Sequence, residues 1–249
     1  MKKIILLFLC LASSTTGFSQ QFNFHRSSVG TNAGVTLGFV DVPKQKLSPG
    51  GDFNYNYYVT PFMTVGIELQ GGIIAGGDST FASDDLSLLD GKPRSHLRQF
   101  KNSYKAASVS GKVQLGQFVD YQDSKFLKSI KGLYSGIGLG LVSNNMAEII
   151  RVKPKVTPQD PVYVFPGKDQ SINFLIPLSL GINYEIKDSY NETRYIIGLG
   201  YQSTLVFGEG LDGYNDDPKI FENNALDTYM MATIGIKYCF GPLHAFYRR

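Results

Sequence analysis

Apolar residues alternate with small or polar residues along most of the chain after residue 28. The odd positions from 29 to 39 carry Val, Thr, Ala, Val, Leu and Phe, and the even positions from 30 to 38 carry Gly, Asn, Gly, Thr and Gly. Successive side chains of a β-strand point to opposite faces, so this period of two predicts a strand with one apolar and one polar face. The same pattern recurs downstream and predicts an all-β chain.

Eight segments carry the pattern, and each reaches the roughly 9 to 11 residues that a tilted membrane-spanning strand needs. They are residues 29–40, 52–60, 62–74, 104–119, 133–142, 172–186, 194–207 and 227–240. Shorter connections near Pro61, at 120–131 and at 187–193 alternate with long ones at 75–103, 143–171 and 208–226. Short turns on one side and long loops on the other are typical of outer-membrane barrels. We therefore predict an eight-stranded antiparallel transmembrane β-barrel with both termini in the periplasm.

The N-terminus predicts export. Lys2 and Lys3 precede a short apolar run, and Gly17 and Ser19 supply small residues before a cleavage site at residue 20. The run is shorter than the about 20 apolar residues of a membrane-spanning helix. We expect a signal peptide at 1–19, a single barrel domain at 20–249, and delivery to the outer membrane.

Composition narrows the function classes. Without Lys2 and Lys3 the 24 basic residues become 22, against 21 acidic residues, and this net charge of +1 does not predict nucleic-acid binding. Cys239 is the one cysteine of the mature chain, so neither an intramolecular disulfide nor a cysteine zinc site is expected. The chain has 15 Tyr, 17 Phe and no Trp. Aromatic belts at the lipid–water boundaries would therefore consist of Tyr and Phe.

A soluble eight-stranded barrel of the lipocalin kind also alternates, but with its apolar face inward. The polar positions here are rich in glycine, which suits the narrow interior of a small barrel better than an exposed strand face. The apolar positions are almost free of charge, as a lipid-facing surface requires. Both observations favour the membrane barrel.

Eight charged residues fall on the predicted inward face. They are Asp52, Glu68, Lys112, Glu185, Lys187, Arg194, Asp227 and Lys237. We predict that Glu68 and Lys112 pair at mid-height, and that Glu185, Arg194 and Lys237 form a second cluster near the periplasmic end, because unpaired burial is costly. These ion pairs could form a plug or line a narrow ion path. Eight strands leave room for little more than side chains, which favours the plug.

The loops offer weak candidates for chemistry. Asp212, Asp216 and Asp217 could bind a cation such as calcium, although their spacing matches no EF-hand and favours a solvated acidic loop. None of the three histidines, at 25, 96 and 244, falls on a predicted strand, and His96 beside Ser95 is the best catalytic candidate. Neither a catalytic residue, a metal nor a cofactor is predicted. Pro177 within the sixth segment predicts a bulge or local break.

Two segments resemble a known family. Residues 174–181 (FLIPLSLG), followed by residues 195–201 (YIIGLGY), resemble the PorT-like outer-membrane β-barrel domain, among small barrels of the OmpA and OmpX kind. Residues 235–241 (GIKYCFG) are similar to the last strand of such barrels, whose terminal aromatic residue is recognised by the assembly machinery. Here Pro242–Arg249 follow, which departs from that pattern. The resemblance implies an eight-stranded outer-membrane barrel, and the family's named member is tied to type IX secretion.

We therefore favour a non-enzymatic accessory or scaffold subunit of an envelope secretion or assembly complex. Its partners would be outer-membrane lipids and another envelope protein, without nucleic acid. The alternatives are a narrow porin for small solutes or ions and, less favoured, a lipid-modifying barrel enzyme.

Overall fold

Eight long strands form the body of the computed structural model, which describes residues 20–42, 44–77, 88–89, 92–93, 98–119, 121, 124–152, 162–208, 210–215 and 226–248. The predicted signal peptide lies outside these residues. The long strands are β1 Gln20–Phe39, β3 Ser48–Thr60, β4 Met63–Gly77, β7 Gln99–Gln114, β8 Leu133–Ile149, β9 Gln170–Lys187, β10 Thr193–Phe207 and β11 Thr228–Arg248. The short strands are β2 Gln45–Lys46, β5 Leu88–Leu89 and β6 Lys92–Pro93, and one helix, α1, covers Lys125–Ile130.

The eight long strands pair in a ring. Each pairs antiparallel with the next along the chain, and β11 returns to β1 over the ladder from Gln20↔Arg248 to Phe39↔Thr228. The β4–β7 ladder is continuous from Met63↔Val113 to Gly77↔Gln99. Ring pairing leaves no strand edge exposed within the barrel wall. The predicted eight-stranded antiparallel barrel is confirmed.

The two faces of the wall have opposite chemistry. On β4, Val65, Ile67 and Leu69 are about half exposed (49, 52 and 52%), whereas Glu68 and Gln70 between and beside them are buried. The other strands repeat this alternation, with apolar side chains outward and Gly, Asn, Ser or charged residues inward. The lipocalin alternative is therefore wrong, because the apolar face points out of the barrel.

The two ends of the barrel also differ. The end that we call the turn end carries the turn at Pro61, the connection containing α1, and the turn at 188–192. The opposite end, the loop end, carries the longer connections. The hydroxyl of Ser124 accepts a hydrogen bond from the Leu127 backbone N–H at 3.4 Å and caps α1, which the sequence pattern did not predict. Among the described residues, no helix combines the length and hydropathy needed to cross a membrane.

Five predicted strand ends are wrong by five residues or more. β1 begins at Gln20 rather than 29, and β11 continues to Arg248 rather than ending at 240. β7 covers Gln99–Gln114 rather than 104–119, and β8 continues to Ile149 rather than ending at 142. The first two differences have one cause, because the segments that precede and follow the ring pair with each other up to His25↔Leu243. We call this two-stranded extension of β1 and β11, residues 20–26 and 241–248, the terminal ribbon. His25 and His244 therefore lie on strands, contrary to prediction.

Pro177 does not produce a bulge. It faces Thr204 in the β9–β10 ladder without a change of register. On the other side, the β8–β9 ladder omits the pairs between Ile137↔Leu178 and Gly140↔Leu175, and the register is the same before and after the gap. Pro lacks the N–H that this ladder needs, so two pairs are lost locally while the strand alignment holds. The predicted local break is present, and the predicted bulge is wrong.

Candidate functional site

The loop end of the interior is filled by an apolar core. Its members are Val42, Ile74, Phe100, Tyr104, Ala106, Val142, Phe165, Leu175, Val206, Leu211, Tyr214 and Tyr229, which we call the apolar plug. Ile74, Val142 and Val206 come from inward positions on β4, β8 and β10 and are fully buried. Phe165, Leu211 and Tyr214 come from the connections after β8 and β10, so these connections fold back into the mouth of the barrel.

Tyr214 ties the plug to the barrel wall. Its hydroxyl lies 2.9 Å from the carbonyl oxygen of Ile150 and 3.0 Å from that of Gln99. Its ring packs edge-on against Phe165 at 5.5 Å, and the guanidinium of Arg98 lies 5.1 Å from its centre. Burial raises the pKa of Tyr214 to about 12. The hydroxyl of Tyr214 is therefore neutral at ordinary pH and holds the plug against the two carbonyl groups.

Below the plug lies a layer of polar side chains that bond to one another. Lys112 Nζ lies 3.2 Å from the carboxylate of Glu68, and Gln70 donates both to Glu68 and, at 2.6 Å, to Gln202. Tyr229 donates to Gln70 at 2.9 Å and links this layer to the apolar plug. We call Asp52, Glu68, Gln70, Lys112, Tyr134, Asn183, Gln202 and Lys237 the polar layer.

The two acidic and two basic side chains of the polar layer balance in charge. Asp52 has no lysine partner and instead accepts from Asn32 at 2.7 and 2.9 Å and from Asn54 at 2.8 Å. Lys237 donates to Asn183 at 3.4 Å. The ammonium groups of Lys112 and Lys237 each lie 5.9 Å from the ring of Tyr134, within cation–π range. Each of the four charged side chains of the polar layer therefore has a charged, polar or aromatic partner.

The structure brings Glu68 and Lys112 together, but it does not bring the other three predicted charges into one cluster. Glu185 pairs with Lys131 from the connection after α1, and Arg194 pairs with Asp188 in the adjacent turn at 3.1 Å. Lys237 lies deeper, in the polar layer. The predicted cluster is wrong because the ladder slips between Thr193 and Tyr195, at the position of Arg194, and because a connection supplies a closer partner for Glu185.

A cavity of about 860 Å³ opens at the turn end. We call it the turn-end vestibule, bounded among others by His25, Tyr58, Lys131, Asn183, Glu185 and Glu192. A much smaller cavity of about 10 Å³ lies next to it, lined by Tyr58, Asn183 and members of the polar layer. That volume is about the least that accommodates one water molecule. The open part of the interior therefore stops at the polar layer.

His25 is the vestibule residue that sequence reasoning missed. The β1–β11 ladder shifts register between His25 and Ser27, and Gly241 opposite has φ of +95°, which marks a bulge. Odd-numbered residues point outward between residues 29 and 39, but the bulge exchanges the two faces of the strand, so His25 points inward. Nδ1 of His25 donates to the Gly241 carbonyl at 2.8 Å. In the sequence, the Gly-Pro pair at 241–242 was the feature that could have indicated this bulge.

The predicted loop chemistry falls mostly outside the described residues. Asp216, Asp217 and His96 lie there, whereas Asp212 is buried and accepts from the backbone N–H of Tyr214 at 3.0 Å. In the described part of the chain, no group of three or more His, Cys, Asp or Glu side chains is placed to hold a metal ion. The cation site stays a prediction.

The apolar plug also escaped prediction, although a signal was present. Pairs of adjacent apolar residues lie at or near the predicted ends of several strands, as in Ile73–Ile74, Leu141–Val142 and Leu205–Val206. One residue of each pair points outward and the other inward. The period-two pattern assigns only the first of them.

Comparisons with known proteins find only low similarity. No family model and no curated protein matches the sequence, so the PorT-like resemblance stays a prediction. Neisserial surface protein A is 9% identical over 89% of this chain and 99% of its own, with a TM-score of 0.46. Ail of Yersinia pestis is 11% identical over 87% of this chain and 99% of its own, with a TM-score of 0.41. The outer membrane protein OprG of Pseudomonas aeruginosa is 9% identical over 88% of this chain and 99% of its own, with a TM-score of 0.36. The fold assignment rests on the strand pairing of this chain.

Proposed function

We propose that this chain is exported and spans the outer membrane as a plugged β-barrel. Phe174 and Tyr184 both point outward on β9, ten positions apart, with Leu178 and Leu180 exposed between them. At about 3.4 Å per residue and a tilt of about 40°, this separation corresponds to about 26 Å. An apolar band flanked by aromatic residues about 25 Å apart matches a bilayer core. The turn end then faces the periplasm.

We further propose that the barrel acts without enzymatic activity, as an accessory or scaffold subunit of an envelope secretion or assembly complex. The observation that carries this proposal is the filled interior. The polar layer and the apolar plug occupy the barrel from mid-height to the loop end, and Ile74, Val142 and Val206 are fully buried there. A barrel that offers no route for a solute acts through its surfaces and its two ends.

Conductance in planar bilayers tests the filled interior directly. We expect no stable single-channel steps from the wild-type protein. A porin inserted into the same bilayers is the positive control for channel detection. Steps from the wild type with ion selectivity altered by Glu68→Gln would establish the narrow porin instead.

Affinity purification from outer membranes in mild detergent tests the accessory role. The tag is fused after residue 249, which follows the terminal ribbon in sequence. We expect a stoichiometric envelope protein to co-purify with wild type and with a variant carrying a non-disruptive control substitution, Lys46→Ala, at the loop end. Recovery of the protein alone, at every detergent tested, would contradict the accessory role.

A further inference from the structure

The turn-end vestibule has the size and chemistry of a binding site. Its volume of about 860 Å³ lies within the range of pockets that hold organic ligands. Tyr58, Phe62 and Ile196 give it apolar wall, and lysine and glutamate side chains give it charge. It is open at the turn end, on the side opposite to the apolar plug.

A buried histidine aims one ring nitrogen that makes no hydrogen bond, Nε2 of His25, into the vestibule. His25 is 5% exposed. The Gly241 carbonyl can only accept, so Nδ1 carries the proton of the neutral ring and Nε2 presents a lone pair. The carboxylate of Glu192 lies 3.9 Å from Nε2, beyond hydrogen-bond distance. Two acceptors therefore face each other across a space that an N–H or O–H donor of a ligand fits.

The rim of the vestibule is positively charged. Four lysines and two glutamates are among its lining residues. Lys131 pairs with Glu185, and Lys187 donates to Asn191 at 3.0 Å. Lys125 and Lys128, both exposed on α1, have no acidic partner within the described part of the chain. The rim therefore attracts carboxylates, while the depth of the vestibule requires a donor.

The terminal ribbon adds a strand edge to the same place. Phe24 and His25 of β1 lie in the ladder with β11, and the β1–β3 ladder begins beyond them, at Ser27↔Tyr57. Both residues line the vestibule. An exposed strand edge pairs with extended polypeptide through main-chain hydrogen bonds. This edge favours a peptide over a compact anion as the occupant.

We propose that the turn-end vestibule binds an extended acidic segment of a periplasmic protein. Backbone N–H groups of that segment donate to His25 Nε2 and Glu192, and its carboxylates lie against Lys125 and Lys128. This inference deepens the proposed accessory role and rests on the periplasmic orientation of the turn end. It names the end of the barrel that holds the partner and the chemistry that selects it.

Fluorescence anisotropy with the full-length protein in detergent micelles tests the site. The probe is a fluorescein-labelled twelve-residue peptide of alternating Glu and Val, and the matched control replaces each Glu by Gln. We expect saturable binding of the acidic peptide and at least about tenfold weaker binding of the neutral one. Lys125→Ala/Lys128→Ala should weaken acidic-peptide binding about fivefold, because exposed charges contribute modestly. The matched pair Lys46→Ala/Lys168→Ala at the loop end should change nothing.

Two substitutions at His25 separate binding from folding. The amide of Asn occupies the position of Nδ1, so His25→Asn keeps the donor to Gly241 and removes Nε2. The longer His25→Gln places an amide oxygen near Nε2. We expect His25→Asn to weaken binding about tenfold and His25→Gln to retain it. Both variants should show the same heat-dependent mobility in SDS gels as the wild type, which would show that they fold. Equal affinity for acidic and neutral peptides would overturn the inference, and so would full displacement by 10 mM inorganic phosphate.

The conductance measurement keeps this inference separable from the proposed function. Peptide binding by a barrel that also conducts would overturn the plugged scaffold and leave the vestibule site standing. A silent barrel that binds neither peptide would overturn the vestibule site and leave the plugged scaffold standing.

Discussion

Removing the charge of Lys112 tests whether the polar layer is a sealed part of the interior. Glu68 is buried, and its carboxylate accepts from Lys112 at 3.2 Å and from the amide of Gln70. Lys112→Met keeps most of the side-chain volume and leaves Glu68 charged beside a single amide donor. Breaking a buried ion pair by removing one partner costs about 3–5 kcal/mol. The paired side chains are 15 and 7% exposed, so solvent screening reduces this value only slightly.

The double variant separates the pair from its surroundings. Glu68→Gln alone leaves the Lys112 ammonium unpaired, and we expect a loss of the same size. Glu68→Gln/Lys112→Met removes both charges, and replacing both members of a buried pair is often close to neutral. We therefore expect a coupling free energy of about 3 kcal/mol or more from the double-mutant cycle.

The free energy of unfolding should be measured by urea titration in lipid vesicles. The chain has no Trp, so far-UV circular dichroism and the mobility of the folded barrel in SDS gels are suitable signals. The matched control is the exposed pair Lys101–Glu148, at 3.0 Å with side chains 43 and 62% exposed. The same cycle there should give about 0–1 kcal/mol. Equal coupling in the two cycles would show that water screens the polar layer and would refute the sealed interior.

Three further predictions concern the ends of the barrel. The pKa of Tyr214 is raised to about 12 from an unfolded value of 10.0. Its contribution to the free energy of unfolding is therefore complete below pH 10 and is lost between pH 10 and 12. Unfolding curves at pH 9 and pH 11.5 should differ less for Tyr214→Phe than for the wild type. Backbone N–H donation from Glu192 lowers the pKa of Asp188 below its usual 3.8, so the 188–192 turn should be stabilised above that pH and loosen as the pH falls through the lowered value. Asp188→Asn should remove that acid dependence, as followed by NMR titration. Gly241→Ala should cost about 1–2 kcal/mol at φ +95°, whereas Gly111→Ala, which meets no atom within 4 Å, should change the unfolding midpoint little.

The barrel wall was predictable because its physical cause is local. Each strand alternates between apolar and small or polar side chains, so Val65, Ile67 and Leu69 show their outward direction without any knowledge of their neighbours. The ring order was predictable as well, since short turns make consecutive strands adjacent. Strand ends were less accurate where pairing came from a distant segment, as in the terminal ribbon.

The partners of interior charges depended on register. Glu68 and Lys112 lie on neighbouring strands near mid-height, and strand order places them close together. Glu185 and Arg194 also lie on neighbouring strands, but a register slip and the connection after α1 give each a different partner. A shift of one residue turns a side chain to the other face, and the sequence pattern does not show such a shift.

The alternation of side chains was sufficient for the class of fold, the number of strands and the direction of each face, because these follow from contacts between a residue and its immediate surroundings. The closure of the loop end and the vestibule at the turn end required the folded chain. Phe165, Leu211 and Tyr214 enter the plug from connections far apart in sequence, and His25 enters the vestibule because a bulge at Gly241 reverses its face. Contacts of this kind depend on where distant backbone segments meet, which a local pattern does not encode.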